Sequence, residues 1–408
     1  MRILWLKSEL LHPLDKGGKI RTYQMLRHLK REHEITYLSF ARPEDPPEAF
    51  VSSAEYCHQL VTVPRREPRK FGPAFYYGLT SSLVSSLPYP IRKYRSNAMR
   101  AAIEHEMRKR AYDVVVCDFL VASINLPDTP SCPAVLFQHN VESMIWRRHF
   151  EMQKNPIKRA FLKNQWQKMV PYERKTCRGF DAVVAVSELD RNQMRNEFGL
   201  EQVFDVPTGV DSSYFRPGDD PVEPFELVFT GSMDWLPNED AVLYFAGQIL
   251  PLVSNAIPEC TLTVVGRNPG PALSELARVN PRINVVGRVD DIRSYVRRAA
   301  ACVVPIRIGG GTRLKIYEAM AMQKPVISTS VGAEGLPICD EKDLLIADRP
   351  EEFAQAVIRV LTEPALAQRL GERARALVCE KFGWEQAAHS FANICERVVG
   401  QRSRRRVA

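Results

Sequence analysis

Residues 303–336 read VVPIRIGGGTRLKIYEAMAMQKPVISTSVGAEGL, and no other stretch limits the possible folds so tightly. An apolar run ends at Pro305. Gly309, Gly310 and Gly311 follow, Thr312 opens a helical pattern carrying Glu318, and residues 326–329 resume an apolar, β-branched run. Strand, glycine loop, helix and strand in this order make a βαβ unit, with its glycines at the carboxyl end of a strand, where open α/β sheets take ligands. Thr312 is expected as the N-cap, which sets Arg313 and Lys315 in the first helical turn. A helix N-terminus already carries partial positive charge, so cations there weaken the helix start. The same cations beside free N–H groups make a favourable seat for a phosphate. The alternative is that both side chains extend into water.

The alternation continues along the chain. Strand-like runs stand at 3–6, 34–40, 60–63, 113–117, 134–137, 182–187 and 203–206, then at 227–230, 262–265, 283–286, 301–304, 326–328 and 344–346. Helical patterns lie between most of them, which predicts an α/β class with parallel, doubly wound sheets. In the first half, Gly17, Gly18 and Lys19 lead into a helix where Ile20, Tyr23, Leu26 and Leu29 recur at helical spacing. This is not a P-loop, because neither Ser nor Thr follows Lys19. A Pro- and Asp-rich run over 207–224 separates the halves, predicting domains at 1–207 and 208–380. The last residues, 401–408, read as a basic tail.

Other features exclude whole classes of function. The nine cysteines are odd in number, widely spaced and without a C-x-x-C, so neither a disulfide framework nor a zinc site is expected. No window holds 18 uninterrupted apolar residues, and MRILWLKSELLHP reads as a first strand, not a signal peptide; a cytoplasmic protein without a membrane span is the expectation. No G-x-G-x-x-G follows a strand, which argues against a nicotinamide dehydrogenase, and no nucleic-acid recognition motif is present. Asp-x-Asp is also absent, and no metal is expected.

Net charge is +8, and residues 146–178 hold ten Lys or Arg against two Glu, which accounts for the whole excess. Such a local surplus points to an anionic surface, with a solvated helix face as the plain alternative. Nearby, Arg65, Arg66, Arg69 and Lys70 precede the uncharged, aromatic stretch FGPAFYYGLTSSLVSSLPYP, and Arg92, Lys93, Arg95 and Arg100 follow it. This pattern fits a membrane-surface element or a helical hairpin over the sheet edge.

The most specific stretch, GGGTRLKIYEAMAMQKPVISTSVGAEG, resembles the retaining group 1 (family 4) glycosyltransferases. So do KGGKIRTYQMLRHL, QHNVES, AVSELD, PTGVDSSYFRP, FTGSMDWLPNEDA and VVGR, so the likeness spans nearly the whole chain. The combination is similar to sugar transferases of bacterial exopolysaccharide clusters, including the exosortase-associated type. The resemblance implies a GT-B architecture: two Rossmann-like doubly wound domains facing a central cleft. The first, with its basic membrane-facing helices, would bind the acceptor and the second the nucleotide sugar, and a helix at 381–400 would cross back to the first.

It also implies roles for particular residues. Glu318 matches the family carboxylate that takes the ribose hydroxyls. Chemically, a carboxylate can accept two hydrogen bonds from a vicinal diol. The family's other Glu, eight positions earlier, is Gly310 here, so the backbone N–H groups of Gly309, Gly310 and Gly311 would replace it. His139, after a strand end, matches a histidine near the donor sugar. Glu142 would orient it or contact the acceptor, and Gly17, Gly18 and Lys19 would sit near donor phosphates or acceptor. Gly231 and Ser232 match the diphosphate side. The usual Arg and Lys after that strand are missing, leaving Arg313, Lys315 and Arg267 to supply charge beside Thr312. Arg288 and Val289 match the base-reading position.

The implied reaction moves a sugar from a nucleotide-sugar donor to a hydroxyl with retention. No cofactor is needed, and cations with a helix N-terminus stabilise the leaving diphosphate. The expected acceptor is a glycan or lipid-linked sugar at the inner face of an anionic membrane. Two relatives of the fold compete: a non-hydrolysing sugar-nucleotide epimerase, and a non-catalytic assembly subunit, which Gly310 keeps open.

Overall fold

The computed structural model describes residues 1–69, 71–308 and 313–407, and side chains as far as Arg402 in the last helix. The chain forms two compact units, Met1–Pro207 with Trp384–Ala408, and Thr208–Gly383.

The first unit contains β1 (Arg2–Lys7), β2 (Glu34–Ala41), β3 (Gln59–Pro64), β4 (Val114–Asp118), β5 (Ala134–Phe137), β6 (Ala182–Ala185) and β7 (Val203–Asp205), in the order β3-β2-β1-β4-β5-β6-β7. Every pairing is parallel. Strands covered on both faces need near-continuous apolar runs, and β4 and β5 have them, each buried throughout. The core joins Leu4, Val115, Leu136 and Val183 from neighbouring strands. The Trp384–Val407 helix seals this unit, with Phe391 against Trp5 and Phe137 at ring distances of 5.5 and 5.1 Å.

The second unit repeats the plan. It contains β8 (Glu223–Thr230), β9 (Thr261–Val265), β10 (Ile283–Gly287), β11 (Ala299–Val304), β12 (Val326–Ser328) and β13 (Leu345–Ile346), in the order β10-β9-β8-β11-β12-β13 and again all parallel. In both sheets the winding reverses beside the first strand, between β1 and β4 and between β8 and β11. These are the switch points at whose carboxyl ends open α/β sheets bind ligands.

One part of the second unit differs from the sequence expectation. The helix after β11 spans Leu314–Ala321, and Arg313 occupies the cap position in extended backbone. Arg313 therefore precedes the first turn, and only Lys315 lies within it. Gly309, Gly310, Gly311 and Thr312 lie outside the described residues, so the expected cap and glycine cradle are not part of this description.

The carboxyl ends of β8 and β9 approach closely. Gly231 donates from its N–H to the Val265 carbonyl at 3.0 Å, and a methyl group at Gly266 would overlap the Gly231 carbonyl oxygen. Gly266→Ala is expected to cost at least about 1–3 kcal/mol, because backbone must move to admit the methyl. Urea unfolding of the purified variant measures this.

Candidate functional site

The first unit gathers its polar groups at its switch point. β1 ends at Lys7 and β4 at Asp118, both buried. Asp118 Oδ2 accepts from Thr22 Oγ1 at 2.6 Å, Trp5 Nε1 at 3.0 Å and Lys7 Nζ at 3.0 Å. Asp118 Oδ1 lies 2.8 Å from His139 Nε2. Burial alone would raise the Asp118 pKa, but Lys7 and then His139 override it and hold the carboxylate ionised. Burial lowers His139 to about 3 despite the carboxylate, so the imidazole is neutral. Its ring stacks on Phe119 at 3.9 Å, and Phe119 itself adopts φ 73°. A bulky residue in that region costs about 1–3 kcal/mol and persists only where its surroundings impose it. Here they do, because a Cβ at Gly18 would come within 2.8 Å of the Phe119 ring and 4.0 Å of His139 Nδ1.

The sequence-predicted residues of this unit thus separate. Gly18 and His139 come together. Gly17 is exposed at the start of the Gly17–Leu29 helix. Lys19 turns away: its buried ammonium donates to the Pro13 carbonyl at 3.3 Å and lies 3.6 Å from Asp15 and 3.9 Å from Glu9. Its charge is therefore partly met within its own loop. Glu142 opens the Glu142–Met152 helix and faces Glu173. Glu173, fully buried on the Pro156–Arg178 helix, accepts from Gln138 Nε2 at 3.0 Å and from the N–H groups of Glu142 and Ser143, both at 2.8 Å. It caps a helix that has no cap of its own. Burial and then Glu173 raise Glu142 to about 8, and burial raises Glu173 to about 7. The turn carrying His139 is consequently held at both ends, by Asp118 and by Glu173.

The second unit has a matching cluster. Lys315 Nζ sits 3.9 Å from the centre of the Phe229 ring and donates to Asn238 Oδ1 at 2.9 Å. Asn238 Nδ2 in turn donates to the Ser232 carbonyl at 2.8 Å. Gly231, at φ 154°, leaves room for them: a Cβ there would stand 2.7 Å from Lys315 Nζ. Burial and the nearby Arg313 charge lower Lys315 to about 7, and burial raises Glu318, one turn on, to about 7. Lys315 and Glu318 line one small cavity with Thr230 and Val304, at the switch point between β8 and β11.

Arg267 joins this group by donating from Nε to Ser232 Oγ at 2.7 Å, but Asp234 lies 3.4 Å from its Nη2 and offsets its charge. Arg288, exposed, and Val289 follow β10, two strands from β8 at the same end of the sheet. Among the described residues no group of three or more His, Cys, Asp or Glu could hold a metal ion.

Five contributors escaped the sequence reading: Lys7, Thr22, Asp118, Glu173 and Asn238. Lys7 and Asp118 carried a signal, since each is a charge that directly follows an apolar run at the end of its strand.

Two parallel Rossmann-like sheets, each with polar groups at its switch point, define the GT-B class of glycosyltransferase fold. Solved structures agree: sucrose-phosphate synthase of Thermosynechococcus elongatus superposes with a TM-score of 0.73 at 18% identity, covering 98% of this chain and 100% of that one. HepE of Anabaena, solved with UDP and glucose, gives 0.68 at 13% identity, covering 97% and 100%. The family profile described as Glycosyltransferase Family 4 matches residues 16–214, and that described as Glycosyl transferases group 1 matches 224–363. The chain belongs to the group 1, family 4 glycosyltransferases. The D-inositol 3-phosphate glycosyltransferase of Streptomyces bingchenggensis is 27% identical over 255 residues, 56% of this chain and 55% of that protein. A GDP-mannose-dependent monoacylated alpha-(1-6)-phosphatidylinositol monomannoside mannosyltransferase of Corynebacterium glutamicum is 24% identical over 254 residues, 56% of this chain and 66% of its own. The chain thus spans about half to two thirds of these curated relatives.

Asp118→Asn should cost about 3–5 kcal/mol, because it leaves Lys7 buried without its counter-charge. Adding Lys7→Met should recover part of that loss. Urea unfolding of the single and double variants checks both expectations.

Proposed function

We propose that this protein is a retaining glycosyltransferase that moves a sugar from a nucleotide-sugar donor to a hydroxyl of a lipid-linked glycan. The observation that carries this reading is the second-unit cluster, where Lys315 lies against the Gly231 turn and Glu318 follows one turn later. A cation beside a carboxylate suits a diphosphate joined to a ribose, with Lys315 and Arg313 taking the phosphates and Glu318 the ribose hydroxyls. A bound diphosphate would favour the charged form of Lys315, which burial opposes in its absence.

The leaving diphosphate is stabilised by these cations without a metal. The neutral His139, fixed with Nε2 toward Asp118, is proposed to contact the donor sugar. No side chain is assigned as a covalent nucleophile; the departing phosphate oxygen helps take the acceptor proton, and the protein supplies positioning. The solved complex of HepE with UDP and glucose supports the donor class. The Corynebacterium relative, whose name specifies a phosphatidylinositol mannoside, supports a lipid-linked acceptor.

The acceptor would be met at the cytoplasmic face of an anionic membrane. The basic surplus lies on the Glu142–Met152 and Pro156–Arg178 helices, and residues 154–160 are all exposed. No described helix is long and apolar enough to cross a membrane.

Glu318→Ala is expected to abolish sugar transfer while leaving the thermal transition in place, and retained transfer would remove the ribose role. Arg313→Ala with Lys315→Ala should weaken nucleoside diphosphate binding at least roughly tenfold, since charge-assisted contacts contribute about 1.5–3 kcal/mol. Titration calorimetry reads that change. Charge reversal at Arg147, Arg148, Lys158 and Arg159 should lower partition onto anionic vesicles by roughly a thousandfold, from about 1 kcal/mol per cation. Co-sedimentation measures it.

A further inference from the structure

A helix on a protein surface ordinarily buries an apolar face and shows water a polar one. The Pro73–Val84 helix also shows water an apolar face, while Phe75 and Leu79 lie half-buried on its other side. Its exposed residues are Pro73, Ala74, Tyr76, Tyr77, Thr80, Leu83 and Val84, and all but Ala74 follow helical spacing along one stripe. Tyr77 is 72% exposed and Val84 92%, and Phe71 just ahead of the helix is 75% exposed. The buried member of the last turn is a serine, Ser82. No charged residue occurs from Phe71 to Pro90.

The fold does not lack a polar alternative for this face, because it supplies polar partners to the inner one. Gln165 Nε2 donates to Ser82 Oγ at 3.3 Å, and Arg92 Nη1 to Ser81 Oγ at 3.0 Å. Lys168 Nζ donates to the carbonyls of Ser82 and Leu83, both at 2.7 Å. The first helical residue is Pro73, which has no N–H to satisfy. Part of the polar demand at each end is thereby met within the protein, as a helix leaving water requires. Mostly basic residues flank the stripe along the chain, with Glu67 the exception. Arg66 and Arg69 precede it and are exposed, and Lys93 and Arg95 follow it. Gln165 and Lys168 belong to the Pro156–Arg178 helix, whose other end exposes Ile157 at 82% beside Lys158 and Arg159.

We propose that the Pro73–Val84 helix is an interfacial membrane-insertion element, which lays Tyr76, Tyr77, Leu83 and Val84 into the headgroup boundary of an anionic bilayer while the basic residues around it meet lipid phosphates. This rests on the membrane reading above and adds a second, apolar component to it. Tyrosines at the two-faced boundary of a bilayer, beside Lys and Arg, are the side chains such a position favours. Charge complementarity selects the occupant: exposed cations flanking an uncharged aromatic stripe match anionic lipid over an apolar interior.

The two components differ in their response to salt, which screens exposed charges and leaves apolar burial intact. The test is co-sedimentation of the full chain with phosphatidylcholine vesicles with and without phosphatidylglycerol, at low and high salt. A triple variant, Tyr76→Ser with Tyr77→Ser and Val84→Ser, is run in parallel with the charge-reversal variant. The parent should bind the anionic vesicles and keep a salt-resistant fraction. The triple variant should lose that fraction and bind at least roughly tenfold less, because apolar area drives it. Its thermal transition and nucleoside diphosphate affinity should not change, since the altered side chains are exposed. Tyr77→Trp should shift its emission to the blue on anionic vesicles.

Equal binding by parent and triple variant, with loss in the charge-reversal variant, would overturn insertion and leave the electrostatic reading standing. Failure of the parent to bind any vesicle would overturn both. A parent that sediments as a dimer through this helix, with the triple variant monomeric, would make the stripe a protein interface and overturn the proposal.

Discussion

Each sheet in this protein winds outward in both directions from its first strand, and that reversal governs where chemistry can occur. At β1 and β4, and again at β8 and β11, neighbouring strands send their connections to opposite sides. The carboxyl ends of those strands are left uncovered by a crossover. Lys7 and Asp118 end one such pair of strands, and Gly231 follows the first strand of the other. The polar clusters are where the topology leaves room for them. The central strands are otherwise largely apolar and buried, while the edge strands β3 and β10 are only partly covered.

Asp118 and Glu173 show what that room costs. A buried carboxylate is a poor source of stability, because desolvation consumes most of what its partners return. Both nevertheless hold one short turn, Asp118 from the strand side and Glu173 from the basic helix. The stability forgone secures a fixed imidazole, with Phe119 held in a backbone conformation that a bulky residue rarely adopts. The second unit does the same with an amine: Lys315 is pressed against Phe229 and tethered by Asn238, so its position is fixed while burial opposes its charge.

The fold was largely legible in the sequence, because buried parallel strands leave apolar runs of fixed length and the runs here are separated by helical periods. Lys315 drew notice for a different reason, since a cation after a glycine loop contradicts helix electrostatics and so invites an explanation, whereas Glu318 drew notice through the family resemblance. What the sequence hid was anything that depends on direction. Lys19 follows two glycines as a phosphate-binding lysine would, yet nothing local reveals that Glu9, Asp15 and the Pro13 carbonyl already hold its ammonium. Asn238 and Glu173 were missed because their partners lie 77 and 31 residues away in sequence. The uncharged stretch after Phe71 was visible as composition, but only the fold tells which of its faces points outward.

The return of the chain to its first unit has a consequence for how the protein is made. Residues 208–383 form a complete sheet and core, whereas the first unit needs Phe391 against Trp5 and Phe137, from a helix near the end of the chain. As the chain leaves the ribosome, the second unit can close while the first is still waiting for its last helix. The unit that begins first is completed last, and until then the apolar surface at Trp5 and Phe137 that Phe391 covers stays open.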